Sequence, residues 1–192
     1  MLGAVMIAAG LLSTANAQIQ EGNWMVGSSL LSSRFGLNTG AGYDLAIQPK
    51  AAYFIKDNVV LGGYVNLGIN KTTNGSPTAF DYGVGALGRY FLSPGEQGVD
   101  NLLNHGRWFF EGNVGIGGRS VENADSTTGL DFGVGPGYSY FITPNIGLEG
   151  LVKYVGRTGF GNEGLNSNIT FNVGLSIYLP TAHAKRLAND AK

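Results

Sequence analysis

Two long segments of the sequence alternate apolar residues with polar or small residues at a period of two. In VVLGGYVNLGIN, residues 59–70, Val59 and Leu61 share one face with further aliphatic residues, whereas Tyr64 lies on the opposite face. NITFNVGLSIYL, residues 168–179, repeats this alternation. A period of two indicates β-strands with one apolar face. Both runs have 12 residues, about twice the average strand of a water-soluble domain, and this length favours tilted strands that cross a bilayer.

The composition excludes several classes of protein. Hydrophobic residues make up 43% of the 192 residues, which excludes a disordered chain. No internal run approaches the roughly 20 apolar residues that a membrane helix requires. The net charge of −1 provides no basic surface for nucleic acid, so we expect no nucleic-acid partner. The absence of cysteine excludes disulfides, thiolate catalysis and metal sites with sulfur ligands.

The N-terminus has the pattern of a secretory signal peptide. An apolar stretch at residues 2–12 is followed by Ala15-Asn16-Ala17, which matches the small-residue motif before a signal-peptidase cleavage site. We predict a signal peptide over residues 1–17, a barrel domain over residues 18–180 and a short periplasmic tail over residues 181–192. Cleavage would leave Gln18 as the first residue of the mature chain.

A gap-free internal repeat supports the assignment of strands. DYGVGALGRYFLSPG at residues 81–95 aligns with DFGVGPGYSYFITPN at residues 131–145, and PKAAYFIKDNVVLGG at residues 49–63 aligns with residues 136–150. Three segments therefore end in Tyr-Phe and an aliphatic residue before a turn: Tyr53-Phe54-Ile55, Tyr90-Phe91-Leu92 and Tyr140-Phe141-Ile142. The repeated unit is a β-hairpin.

Three glycines in the first repeat have the spacing G-x-G-x-x-G, namely Gly83, Gly85 and Gly88. This spacing binds a dinucleotide pyrophosphate when a helix begins at the glycines. Here aromatic, strand-type residues and then a turn follow instead, and only two of the glycines recur, as Gly133 and Gly135. We therefore interpret them as small residues on a strand and predict no cofactor.

The segments between turn signals predict eight strands, at residues 23–33, 44–56, 58–70, 79–93, 105–119, 129–142, 145–157 and 166–179. The connections alternate between mostly tight turns on one end and longer segments rich in Gly, Asn, Ser and Thr on the other. This asymmetry is typical of periplasmic turns and extracellular loops. The fold class is therefore all-β, an eight-stranded antiparallel up-and-down transmembrane β-barrel.

The hairpin PKAAYFIKDNVVLGGYVNLG and the closing strand FNVGLSIYL, together with the signal peptide, resemble the small eight-stranded outer-membrane β-barrel proteins, especially the porin-like Bacteroidetes type. The resemblance covers residues 20–180. It implies a monomer in the outer membrane that contacts outer-membrane lipid and is inserted by the barrel-assembly machinery. One feature departs from that family, whose closing strand usually ends the chain on an aromatic residue. Here Pro180 and a basic, Ala-rich tail follow Leu179.

The face opposite the apolar one collects charged residues, which we expect to point into the lumen. An eight-stranded barrel has room there for side chains only, so these charges must pair. We predict a lumenal ion-pair network, with Arg89 and Glu111 as its best single pair. Its members are Lys50, Asp81, Arg89, Arg107, Glu111, Asp131, Glu149 and Lys153. On the outer face, Tyr53, Tyr90 and Tyr140 are predicted to form an aromatic girdle.

These features favour an outer-membrane barrel with a structural or surface-interaction role, a plugged lumen and function carried by extracellular loops. We predict no enzyme activity, catalytic residue or metal. Pairs such as Asp81 with Asp131 are better explained by structure than by proton transfer. A deacylase acting on lipid A would need an outward His-x-Ser pair, whereas His105 and His183 lie in a periplasmic connection and in the tail. The alternatives are a narrow pore or transporter, a lipid A-modifying enzyme, and a soluble lipocalin-like carrier.

Overall fold

The chain forms a closed barrel of eight antiparallel strands in up-and-down order, with β1 hydrogen-bonded to β8. The computed structural model describes residues 19–35, 41–73, 76–92, 106–122, 125–159 and 162–181. The strands are β1 (Trp24–Phe35), β2 (Ala41–Lys56), β3 (Val59–Thr73), β4 (Ala79–Phe91), β5 (Gly106–Val121), β6 (Thr127–Thr143), β7 (Ile146–Gly159) and β8 (Asn162–Leu179). The predicted signal peptide, both histidines and residues 182–192 of the predicted tail lie outside the described residues.

The period-two pattern of the sequence becomes the two faces of the barrel wall. Large apolar side chains of every strand are exposed on the outer surface, among them Leu61 and Val84. Lys50, Glu111 and Glu149 are buried inside. A lipocalin-like carrier requires the opposite arrangement, with the apolar face lining a cavity. The structure therefore excludes that alternative. No helix among the described residues is long and apolar enough to cross a membrane.

The connections between strands lie at the two ends of the barrel. We call the end that holds residues 57–58, 92–105 and 144–145 the turn end. The other end, the loop end, has connections at residues 36–40, 74–78, 122–126 and 160–161. Two of the three turn-end connections are tight, as expected, and 92–105 is the long exception that the predicted strand bounds, 79–93 and 105–119, already place there. The loop-end connections are shorter than the predicted bounds imply.

The loop-end connections are short because the strands extend beyond their predicted bounds. β8 begins at Asn162 rather than at residue 166, and β2 begins at Ala41 rather than at residue 44. Backbone pairing continues through polar segments such as Asn162–Asn168, since ladder hydrogen bonds do not require apolar side chains. Hydrophobic alternation detects only the apolar part of each strand.

An apolar cluster fills the lumen at the turn end, and we call it the floor. Its rings contact one another, with centroids 5.5 Å apart for Phe91 and Phe109 and 5.3 Å apart for Phe141 and Tyr178. At this end the cluster comprises Ile19, Met25, Ala52, Phe54, Val60, Phe91, Phe109, Phe141 and Tyr178, and it extends through Tyr64, Leu87 and Leu151 to the level of the charged lumenal residues. Aromatic pairs at these separations add to the stability that burial provides. The floor closes the lumen at this end.

The segment before β1 covers the floor from outside. Ile19 is 3% exposed and belongs to the floor, and its carbonyl oxygen accepts a hydrogen bond of 3.0 Å from the backbone N–H of Asn58. The N–H of Glu21 donates to Oδ1 of Asp57 at 2.8 Å. Because both acceptor and donor lie in the β2–β3 turn, the segment is held across the turn end.

Candidate functional site in the lumen

Five charged side chains meet in the middle of the lumen, directly above the floor. Nη2 of Arg89 lies 2.6 Å from Oε2 of Glu111, and its Nη1 lies 2.6 Å from Oε1 of Glu149. Nζ of Lys50 lies 2.9 Å from Oε2 of Glu149, and Nζ of Lys153 lies 2.7 Å from Oε1 of Glu111. We call these five residues the ion cluster. Nζ of Lys50 also lies 3.8 Å from Oε2 of Glu111, so Glu111 contacts three cations and Glu149 contacts two.

Arg89 joins the ion cluster to the floor. Its guanidinium carbon lies 3.9 Å from the centroid of the Phe109 ring, and Nη1 contacts the sulfur of Met25 at 3.4 Å. A planar, weakly hydrated guanidinium can bind carboxylates with its edge while its face packs on an aromatic ring. This dual role explains why arginine, rather than lysine, occupies the buried centre.

Three residues of the predicted network lie outside the ion cluster. Asp81 is 3.8 Å from Arg119 near the loop end, where their side chains are 38% and 44% exposed. Arg107 lies at the turn end, where Nη1 donates to the carbonyl oxygen of Gly106 at 3.3 Å. Asp131 pairs with no cation within 4.0 Å among the described residues. The prediction grouped all charged residues of the inner face into one network. In the structure these residues lie at different heights along the barrel axis.

Asp131 is held by neutral donors instead. Its Oδ2 accepts hydrogen bonds from the Tyr64 hydroxyl at 2.8 Å and from Nδ2 of Asn113 at 3.4 Å. Oδ1 of Asn113 accepts from Lys153 at 2.8 Å, so the amide separates Asp131 from the ion cluster. The Tyr64 side chain lies in space that Gly85 and Gly115 leave free. Inward glycines of β4 and β5 therefore make room for a lumenal side chain.

A polar cavity of about 350 Å³ lies on the loop-end side of the ion cluster, and we call it the vestibule. Its walls carry the amide side chains Gln48, Asn66, Asn113, Asn168 and Asn172, three carboxylates, Asp44, Asp81 and Asp131, and three cations, Arg119, Lys153 and Arg157. The lumen is thus a cup that has a polar interior towards the loop end and a sealed base.

Aromatic side chains surround the outside of the barrel at the turn end. The predicted girdle residues Tyr53, Tyr90 and Tyr140 are exposed on the outer wall there. Trp24 packs edge-on against Tyr53 at 5.3 Å, and Trp108 packs edge-on against Tyr138 at 5.1 Å. These residues form one belt, in which tryptophan joins the expected tyrosines.

Ion pairs dominate the contacts of the two buried glutamates in the lumen. Glu111 and Glu149 share the guanidinium of Arg89, and Glu149 also accepts a hydrogen bond of 3.2 Å from the Tyr178 hydroxyl. Within the described ranges, no group of three or more His, Asp or Glu side chains could hold a metal ion. The geometry suits a structural centre that links several strands.

Sequence reasoning missed the aromatic floor, although the repeat contained its signal. In each Tyr-Phe pair the tyrosine faces outward to the belt, so the adjacent phenylalanine must face inward. Phe54, Phe91 and Phe141 are all members of the floor. No sequence pattern indicated that Ile19 belongs to the floor, because that residue precedes the first strand.

Comparison with solved structures places this fold among the small eight-stranded outer-membrane β-barrels. Neisserial surface protein A superposes with a TM-score of 0.56 at 17% identity, over 81% of this chain and 95% of that one. The N-terminal β-barrel domain of Pseudomonas aeruginosa OprF superposes with a TM-score of 0.52 at 13% identity, over 83% of this chain and 98% of that one. No protein-family model matches the sequence, and no curated protein matches it.

Proposed function

We propose that the protein is a monomeric, non-enzymatic integral barrel of the bacterial outer membrane with a structural or surface-interaction role. One observation carries this proposal: all eight strands expose large apolar side chains on the outer wall, whereas charged residues fill the lumen. A contiguous apolar exterior on this scale marks a surface that contacts lipid. The porin-like Bacteroidetes type and insertion by the barrel-assembly machinery belong to the same proposal.

The sealed base of the lumen supports a plugged barrel rather than a pore. A solute entering the vestibule meets the ion cluster and then the floor, and Ile19 adds a further layer. The ion cluster holds three cations and two carboxylates that are nearly fully buried. Opening a path would separate charges in a poorly hydrated space, which costs several kcal/mol.

The turn end faces the periplasm in this proposal, and the loop end faces the outside. Because the loop-end connections are short, the strand ends themselves form much of the external surface. Exposed polar side chains there include Arg119, Glu122, Asp125 and Arg157. A signal peptide over residues 1–17 would deliver the chain to this location, and the mature protein would begin at Gln18.

The test is whether the mature chain requires a membrane environment. We expect it to precipitate without detergent, to refold in micelles, and to migrate differently on a denaturing gel before and after heating. Monomeric solubility in plain buffer would overturn the membrane assignment. In planar bilayers we expect no steady conductance, and steady openings by the wild-type protein would favour a pore.

A further inference from the structure

The vestibule contains two opposite charges that are not paired with each other. Asp131 and Arg157 are directly opposite across β6 and β7, and both line the cavity. Cross-strand neighbours of opposite charge commonly interact, since their Cβ atoms lie about 5 Å apart. Here no nitrogen of Arg157 comes within 4.0 Å of an Asp or Glu oxygen of the described residues. The structure holds an anion and a cation apart on one wall.

Asp131 is the deeper of the two charges, and half of its carboxylate is available. The residue is 7% exposed, and its hydrogen bonds from Tyr64 and Asn113 both reach Oδ2, leaving Oδ1 without a donor among the described residues. The nearby Lys153 is already bound to Glu111 and Asn113. A carboxylate at this depth without a direct cation is costly and indicates a functional position.

Arg157 supplies the complementary charge closer to the mouth. Its side chain is exposed and forms no hydrogen bond or ion pair with another residue of the described ranges. The five donors of a guanidinium are arranged to bind a carboxylate in a bidentate manner. A ligand that reaches Asp131 with an ammonium group can therefore place a carboxylate at Arg157.

We propose that the vestibule binds a small zwitterion with a free ammonium and a free carboxylate, of the size of an amino acid or dipeptide. The volume of about 350 Å³ lies within the range of small-molecule sites. Its walls carry three carboxylates and three cations, a balance that favours neither a polyanion nor a polycation. The proposal requires the cavity and its two charges alone, so it does not depend on the role proposed for the whole barrel.

The experiment uses the full mature chain, ¹⁵N-labelled and folded in lipid nanodiscs, with diglycine as the probe. N-acetyl-diglycine lacks the ammonium, and glycylglycinamide lacks the carboxylate. We expect diglycine to shift NMR signals of residues that line the vestibule, and each derivative to bind at least about tenfold more weakly, the effect of losing one charge-assisted hydrogen bond. Equal binding of all three compounds, equal binding of glucose, or no shift at all would overturn the proposal.

Two variants assign the charges to the two ends of the ligand. Asp131→Asn preserves the side-chain shape and is expected to weaken diglycine and glycylglycinamide, with little effect on N-acetyl-diglycine. Arg157→Gln is expected to weaken diglycine and N-acetyl-diglycine instead. Asp125→Asn, an exposed acid that does not line the cavity, serves as the matched control and should leave all three affinities unchanged. If Asp131→Asn fails to fold, Arg157→Gln and the three wild-type affinities still decide the question. The assignment of Asp131 to the ammonium and Arg157 to the carboxylate would be contradicted if a variant weakened a compound that lacks the corresponding charge as much as it weakened diglycine.

Discussion

The guanidinium carbon of Arg89 lies 3.9 Å from the centroid of the Phe109 ring, while two of its nitrogens each lie 2.6 Å from a different glutamate. One side chain therefore connects the charged layer of the lumen to the aromatic layer below it. Because the two layers share this residue, a change at Arg89 affects both.

Replacing Arg89 with methionine should destabilise the barrel strongly. The variant leaves Glu111 and Glu149 close together with fewer cations, and breaking a buried pair from one side costs about 3–5 kcal/mol. The exposed Arg119, 3.8 Å from Asp81, provides the matched control, and Arg119→Met should cost at most about 1 kcal/mol. Urea unfolding in detergent micelles, followed by tryptophan fluorescence, measures both. Similar losses for the two variants would contradict the central role of Arg89.

Ile19→Asp should release the segment that covers the floor. Ile19 is 3% exposed, and burying a charge without a partner in an apolar cluster is strongly unfavourable. The N–H of Asn58, which donates to the Ile19 carbonyl oxygen, should then exchange with solvent faster, as hydrogen exchange detects. Gln20→Asp places the same charge on an exposed neighbour and should leave that exchange rate unchanged. Unchanged protection of Asn58 in Ile19→Asp would show that the segment is held by other contacts.

Two glycine-to-alanine substitutions should have opposite outcomes. A methyl group at Gly115 would lie 2.8 Å from the Val84 carbonyl oxygen and would also meet the Tyr64 hydroxyl, so we expect a loss of about 1–3 kcal/mol. At Gly150, on the outer wall, a methyl group would meet no atom within 4 Å. Gly150→Ala should be neutral or stabilising by up to about 1 kcal/mol, because alanine restricts the unfolded chain. Urea midpoints in micelles would separate the two, and a stable Gly115→Ala protein would refute the tight packing around Tyr64.

Both tryptophans of the chain, Trp24 and Trp108, lie in the turn-end belt. Aromatic belts locate at the level of the lipid headgroups. Lipids brominated near the headgroup should therefore quench tryptophan fluorescence more than lipids brominated at the ends of their acyl chains. Trp24→Phe and Trp108→Phe each leave one reporter, and both single-tryptophan proteins should show the same depth. Stronger quenching by lipids brominated at the ends of their acyl chains would contradict a belt at the level of the headgroups.

Turn signals and the internal repeat were sufficient to predict the number of strands and their antiparallel order, and hydrophobic alternation predicted the faces of the wall. Val65 and Tyr64 illustrate the reason, because adjacent residues of a strand must point to opposite sides. The pairing of Arg89 with Glu111 followed from the same rule, since the two residues are direct cross-strand partners.

Depth along the barrel axis could not be predicted in the same way. The alternation places Asp81, Arg107 and Asp131 on the inner face but does not give their height, which depends on strand stagger and on where ladders end. The strand ends near Asn162 and Ala41 were missed because polar residues continue the ladder. Ile19 was missed because its position is determined by tertiary packing on the floor and not by any periodicity.

The hydroxyl of Thr181 donates a hydrogen bond of 2.6 Å to the carbonyl oxygen of Gly22. The segment that enters the barrel and the segment that leaves it therefore touch at one rim. In a closed ring of eight paired strands, every strand has two hydrogen-bonded neighbours. Which strand comes first in the chain therefore depends only on which pair of neighbouring strands has no covalent connection. A circularly permuted gene that joins these two segments and opens the chain at residues 160–161 would preserve every strand ladder. Its folding would show whether the barrel must close between β1 and β8 last.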